Sequence, residues 1–228
     1  VTLPLVVIRP EPGLSATAAE AEKRGLSAIC TPLFTIESSA WNAPDPNAID
    51  GLLIGSANAI RHGGALGAFC AKPVYAVGET TAQAARDAGF AVAATGNGGL
   101  QPLVDTLAGQ RVTLLRLAGE EHVPLTPPDG MELVTRVVYS SIPNAVPGDL
   151  ATTLQAGAVV LLHSAAAARH FAAECDRLGL DRARIALAAL GPRIADAAGT
   201  GWRMAEAAAQ PSDAALLALA GRMCHAAP

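Results

Sequence analysis

The chain is poor in the residues that announce most chemistries. Cysteine occurs four times, at Cys30, Cys70, Cys175 and Cys224, widely scattered and with no C-x-x-C pair. That spacing offers neither a disulfide framework nor a metal knuckle. It fits reduced thiols, so a cytoplasmic setting and no bound metal are expected. Aromatic residues make up only 4% of the sequence, which leaves Ala, Val, Leu and Ile to build the cores. No run of Lys or Arg occurs, and the formal net charge is −4. A nucleic-acid binder needs a basic stripe to neutralise phosphates, so no nucleic-acid partner is expected. Apolar runs stay well short of the roughly 18 residues of a membrane span, and no membrane partner is expected either. The opening stretch VTLPLVVIRPEPG has neither the cationic start nor the long apolar core of a signal peptide, and reads as a first strand.

Motifs for cofactors and covalent catalysis are missing as well. Gly96, Gly98 and Gly99 begin a G-x-G-x-x-G spacing, but Gln101 stands where the last glycine belongs. Neither Lys23 nor Lys72 follows a glycine-rich turn, so there is no P-loop. Ser56 lacks the flanking glycines of a nucleophile elbow, being followed by Ala57-Asn58. His62, His122, His163, His170 and His225 form no i, i+4 pair for zinc. The chain therefore reads as cofactor-free. Glu120 and Glu121 are neighbours that point different ways on any regular element, and a solvated turn is expected there.

What the sequence does hold is a repeat. LLIGSANAIRH, ending at His62, returns as VLLHSAAAARH, ending at His170, and VYAVGETTAQAARDAGF returns as ALAALGPRIADAAGTGW. VVIRP, with Arg9, is echoed by TLLRL, with Arg116, at nearly the same spacing. Each unit is an apolar run, a small or polar break, then an alanine-rich helical stretch. With 228 residues, 51% of them hydrophobic, the chain has enough material for two small domains. Strands are predicted at LVVIRP, LSAICTPLFTI, GLLIGS, PVYAVG, FAVAAT, RVTLLRL, LVTRVVYSSI, AVVLLHS, IALAAL and WRMAEA. Helices are predicted over 15–24, 57–69, 80–88, 100–107, 165–178, 193–198 and 212–223, with Ser15, Ser56, Ser164 and Ser212 as caps. Gly25 and Gly89 sit where a helix stops in a left-handed residue. Strands apolar on both faces that alternate with helices mean parallel sheets covered on both sides, an α/β fold. Two Pro-interrupted extended stretches, 30–48 and 134–149, read as paired crossings between lobes. One lobe is then residues 39–138 and the other is 1–36 with 143–228, with a ligand cleft expected between them.

In such lobes the carboxyl ends of strands and the N-termini of the next helices share an edge. Gly55-Ser56-Ala57-Asn58, Gly78 to Thr81, Ser164-Ala165 and Gly191-Pro192-Arg193 occupy these turns and present backbone N–H groups to an anion. One helix end contributes about 0.3–1 kcal/mol, whereas micromolar affinity needs about 8 kcal/mol. A ligand must then engage several turns plus arginines, which implies a large, multiply anionic molecule. Arg9 and Arg116, at equivalent repeat positions, are candidates to pair with its carboxylates; the competing reading for each is an internal ion pair. Ser56, Asn58, Thr81 and Ser164 are helix caps first and ligand contacts second.

At these turns the sequence resembles the uroporphyrinogen-III synthase family along essentially its whole length. The matching pieces are Arg9-Pro10, Ile54 to Arg61, Val77-Gly78 with Thr81-Ala82, Arg116 through Leu125, Val138-Tyr139, Leu161 to Phe171, and Leu190-Gly191-Pro192 followed by Ala207 and Pro211. The resemblance implies two flavodoxin-like doubly wound lobes joined by a two-stranded linker. It also implies a monomer acting on a small-molecule substrate, the linear tetrapyrrole hydroxymethylbilane, as a cofactor-independent lyase. Tyr139 matches a tyrosine the family places near the cleft, which implies a proton or hydrogen-bond donor to the departing hydroxyl. Three departures stand out: Ile194 replaces a common threonine, His122 stands where arginine is frequent, and Ala166 to Ala168 replace a more polar helix start. They leave a second reading open, a non-catalytic two-lobe module that binds a tetrapyrrole or similar polyanion. A small-molecule-binding α/β protein of unrelated function is the third.

Overall fold

The computed structural model describes residues 2–225. The chain divides into two compact units, residues 1–35 with 142–228 and residues 36–141. Each unit is built on one sheet, and the architecture is α/β throughout.

The first unit contains β1 (Leu5–Val7), α1 (Gly13–Glu22), β2 (Ala28–Cys30), α5 (Gly148–Ala156), β9 (Ala158–Leu162), α6 (Ala165–Leu178), β10 (Ile185–Ala189), α7 (Pro192–Ala197), β11 (Met204–Ala207) and α8 (Asp213–His225). The second contains β4 (Gly51–Ile54), α2 (Ala57–His62), β5 (Val74–Val77), α3 (Glu79–Asp87), β6 (Val92–Gly96), α4 (Leu100–Asp105) and β7 (Thr113–Gly119). The chain passes from one unit to the other within β3 (Phe34–Ser38) and returns within β8 (Glu132–Pro143). These two strands are neighbours at one margin of the second sheet.

The first sheet has the order β11-β10-β9-β1-β2, and every pairing is parallel. The second runs β3-β8-β7-β4-β5-β6, with parallel pairing from β8 across to β6. With β3 set aside, substituting β9 for β4, β10 for β5, β11 for β6, β1 for β7 and β2 for β8 turns the second order into the first. The repeat in the sequence is thus a circular permutation in space. Both sheets reverse winding direction once, between β4 and β7 in one and between β9 and β1 in the other.

Central strands are buried along their whole length: Gly51–Ile54, Ala158–Leu162 and Ile185–Ala189 are shielded at every residue. Alternation of side chains then divides each core in two. Val6, Ile8, Val160, Leu162 and Leu187 pack with Phe171 on one face of the first sheet, while Leu5, Val7, Val159, Leu161 and Ala186 pack with Leu216 and Leu217 on the other. The second sheet does the same with Ile54, Phe69, Leu115 and Leu117 on one face and Leu53, Leu103, Val104 and Leu114 on the other. Burying one such aliphatic side chain contributes about 1.5–3 kcal/mol.

Several local expectations change. LSAICTPLFTI is two strands, β2 and β3, in different sheets, separated where Pro32 cannot donate to a ladder. The helix expected over 57–69 stops at His62, and only a short 3-10 turn, Leu66–Phe69, follows the Gly63-Gly64 break. Ser15 does not cap α1, which begins two residues earlier at Gly13; its hydroxyl instead donates to Glu11 Oε1 at 2.6 Å. Ser56, Ser164 and Ser212 do cap, accepting from the amides of Asn58, Ala167 and Ala215. The helix α5 was not anticipated, because only Leu150 and Leu154 mark its buried side. Gly25 and Gly89 are left-handed, at φ 73° and 86°.

Polar groups secure the segment that follows β8. The Val146 amide donates to the buried Glu174 carboxylate at 2.7 Å, and Arg177 donates to both oxygens of Glu174. One turn away on α6, His170 Nε2 contacts the Asn144 carbonyl at 2.7 Å, while the Asn144 side chain donates to Pro32 O and to Thr35 Oγ1. Arg177 above all, with the Val146 amide, holds the Glu174 carboxyl down to about 2 from its ordinary 4.5, against the opposing effect of burial. A folded-state value below the unfolded one stabilises the protein above pH 4.5 and loses that contribution as pH falls toward 2. Urea unfolding followed across this acid range should show a falling midpoint for the parent chain. Glu174→Gln should have a lower midpoint at neutral pH and a flatter acid limb; an unchanged limb would remove Glu174 from the acid response.

Candidate active site

Ligands of doubly wound sheets bind beyond the carboxyl ends of the strands where the winding reverses. In the second unit that point lies between β4 and β7, and a cavity of about 480 Å3 opens there. The turn after β4 (Gly55, Ser56) forms part of it, as do the end of β7 (Arg116 to Gly119) and the loop beyond it (Glu121 to Leu125). Val77, the segment Gly98 to Pro102 leading into α4, and Tyr139 of β8 complete the lining. The volume is in the range of small-molecule sites, roughly 300–1,000 Å3.

Arg116 is its most unusual lining residue. β7 is buried from Leu114 to Gly119, and Leu115 and Leu117 face the core shared with Phe69. Strand alternation turns Arg116 to the opposite face with Leu114, over α4. The residue is only 5% exposed. One terminal nitrogen donates to Val123 O at 2.8 Å, while Nε is buried with no hydrogen-bond partner. Among the described residues no carboxylate lies within ion-pair distance of it. Desolvation lowers its pKa from the ordinary arginine value. A buried cation without a counter-ion is costly, and an incoming anion relieves that cost. Arg116 thus stands in the cavity lining with hydrogen-bonding capacity unused.

Tyr139 is held beside it. The register of β7 against β8 shifts after Ala118, which sets Gly119 opposite Tyr139. The Glu120 amide then donates to the Tyr139 carbonyl at 2.9 Å. His122 Nδ1 contacts Gly119 O at 2.8 Å, so the histidine at the arginine-rich position is engaged with the turn. The ring of His62 lies 6.5 Å from that of Tyr139, centroid to centroid. Gln101 braces the outer wall: its side chain donates to Thr126 O and accepts from Thr126 N, both at 2.9 Å. Gly98 to Pro102 and the His122 to Leu125 loop are lining residues that sequence reasoning missed. The signal available in the sequence is the glycine cluster Gly96, Gly98 and Gly99 before Gln101, which matches no dinucleotide motif yet bends the chain before α4.

The remaining predicted residues are distributed as follows. Ala57 and Thr81 are buried on the core faces of α2 and α3. Asn58 gives its amide to Ser56 Oγ, and Gly78, at φ 77°, leads into α3. None of these four lines the cavity. In the first unit, Ala165, Gly191 and Arg193 share a shallower depression with Arg169 and Ile194. Ser164 caps α6, so one amide of that turn is already used.

Arg9 takes the internal ion pair. Its guanidinium donates to Asp213 Oδ2 at 3.0 Å and to Thr17 Oγ1 at 3.1 Å, and Thr17 donates to the same carboxylate oxygen. His163 Nε2 approaches Asp213 Oδ1 at 3.6 Å, beyond hydrogen-bond length. The His163 ring, Arg9 and Thr17 together hold the Asp213 carboxyl down to about 2, against burial. The two arginines are also not equivalent in register. Arg116 pairs with Leu53, whereas Leu161, the counterpart of Leu53, pairs with Val7. Arg9 therefore lies two residues further along its strand than Arg116, past the end of β1.

All four cysteines are free, Cys30 and Cys70 exposed and Cys175 and Cys224 buried. Burial pushes the Cys175 thiol up to about 12, which makes it unreactive at neutral pH. Among the described residues no group of three or more His, Cys, Asp or Glu is placed to hold a metal ion, and no helix is long and apolar enough to cross a membrane.

Residues 15–218 match the family model described as uroporphyrinogen-III synthase HemD. The chain belongs to the uroporphyrinogen-III synthase family. This is an enzyme family of haem biosynthesis. Among solved structures, the fold is similar to uroporphyrinogen-III synthetase from Helicobacter pylori 26695, with 18% identity and a TM-score of 0.67 over 97% of this chain and 99% of that one. A mutant uroporphyrinogen III synthase from the extremely thermophilic bacterium Thermus thermophilus is also similar, with 18% identity and a TM-score of 0.54 over the same shares. At these identities the likeness concerns the fold alone. No curated protein matches the chain in sequence.

Arg116→Met tests whether that unused capacity binds an anion. The apolar replacement should leave the unfolding free energy within about 1 kcal/mol, because one hydrogen bond and one uncompensated charge leave together. A pyrrole carboxylate should raise the melting temperature of the parent chain and not of the variant. Equal shifts in both would show that Arg116 does not hold the anion.

Proposed function

We propose that this chain is a uroporphyrinogen-III synthase in the full sense: a cofactor-independent lyase that closes hydroxymethylbilane into uroporphyrinogen III and releases water. The observation that carries the reading is the buried, uncompensated guanidinium of Arg116 in a cavity also lined by Tyr139. Membership of the family supports the substrate class, and a linear tetrapyrrole with acetate and propionate arms supplies the carboxylate that Arg116 lacks.

The reaction begins when the hydroxyl on the first ring's methylene departs, leaving an electrophilic azafulvenium cation. Tyr139 donates its phenolic proton to that hydroxyl, and water leaves. The last ring attacks through its substituted carbon to give a spiro intermediate, which opens and recloses with that ring inverted. Loss of the ring proton on reclosure restores the proton to Tyr139, so the balance is one water per turnover. Because the free substrate closes without inversion, the protein's contribution is chiefly orientation. Holding one carboxylate arm on Arg116 fixes one end of a flexible chain before bond formation. Differential stabilisation of the inverting transition state then selects the isomer.

Purified protein given freshly prepared hydroxymethylbilane should yield the III isomer, resolved from the I isomer by chromatography. Only the I isomer, at the rate seen without protein, would replace this reading with that of a binding module. Tyr139→Phe should retain the fold by circular dichroism and lower turnover by about 10²-fold, the usual scale for a proton donor. Unchanged turnover would take Tyr139 out of the mechanism.

A further inference from the structure

We infer that Gly119 is a positioning residue for the proposed reaction: the missing side chain at this position is what lets the Tyr139 hydroxyl sit over the end of β7. The inference rests on the reading of Tyr139 as proton donor given above. Its evidence is local. A Cβ on Gly119 would lie 2.7 Å from Cζ, 2.8 Å from Cε2 and 2.9 Å from Oη of Tyr139, all inside the 3.0 Å that real contacts essentially never breach. The three nearest atoms all belong to the phenolic edge of the ring. The neighbouring backbone has little freedom to retreat, since Glu120 N–H is bonded to the Tyr139 carbonyl and Gly119 O is engaged by His122.

Conformational strain does not explain this glycine, because Gly119 is not among the glycines with positive φ. Alanine is thus allowed by the backbone, and the nearest obstacle it meets is the tyrosine ring. The residue is anchored through its strand backbone and lines the cavity, so the cheapest response to a methyl group is displacement of the hydroxyl into that space. The reacting atoms suffer and the fold does not.

Only two tyrosines occur in the chain, Tyr75 and Tyr139, so fluorine NMR of protein labelled with 3-fluorotyrosine gives two resonances. Tyr139→Phe assigns them. Gly119→Ala should move the Tyr139 resonance and leave that of Tyr75 in place, with an unfolding midpoint close to the parent's. Its kcat should fall by about 10- to 100-fold, the scale of a small misplacement of a reacting group, while KM changes by less than about threefold. The double variant Gly119→Ala with Tyr139→Phe should be no slower than Tyr139→Phe alone, since both act on one hydroxyl. Gly67→Ala, where a Cβ meets nothing within 4 Å, is the control and should match the parent. An unmoved Tyr139 resonance, or a double variant slower than either single one by the product of their effects, would overturn the inference. Wild-type turnover in Tyr139→Phe together with a moved resonance would instead overturn the role of Tyr139, and leave the spacing between Gly119 and the ring standing.

Discussion

Parallel strands cannot be joined by a tight turn; each must be followed by a crossover that carries the chain back to the same end of the sheet. That single constraint organises this protein. It gathers the carboxyl ends of β4, β5 and β7 and the starts of α2, α3 and α4 along one edge of the second sheet. It requires cover on both faces, which accounts for four apolar clusters, two to a sheet. It also leaves one gap in the cover, where the winding reverses between β4 and β7. The cavity with Arg116 and Tyr139 lies at that gap.

The two units solve the same topology and treat the reversal point differently. In the second, a cation is buried in β7 without a carboxylate. In the first, the corresponding strand carries its arginine two residues further on, and Asp213 at the start of α8 neutralises it with help from Thr17. A charge already paired with a carboxylate has little to gain from a second one, whereas an unpaired one does. The permuted repeat thus yields one reversal point whose arginine is paired with a carboxylate and one whose arginine is not.

Much of the fold was legible because parallel sheets write themselves plainly. Fully apolar runs such as AVVLL and IALAA, each followed by a cap and an alanine-rich stretch, have few other readings. The failures share a physical cause too. α5 has only two buried residues, and β2 and β3 lie in one mainly apolar stretch, broken at Pro32, whose halves join different sheets. The order of β1 and β2 beside β9 is a matter of long-range pairing that no local pattern encodes.

For the site, the amino-acid order was enough to supply the inventory: turns after apolar strands, a tyrosine at a lobe crossing, two arginines in strand-end contexts, and no cofactor motif. It also carried the family. Folding settled the rest: which arginine is paired, that Thr81 turns into a core, and that Gly119 lies against the ring of Tyr139. The reason is distance along the chain. A helix cap or a strand face is fixed by residues a few positions away. The partner of Arg9 is Asp213 and the residue opposite Gly119 is Tyr139, and such pairings exist only once the sheets have closed.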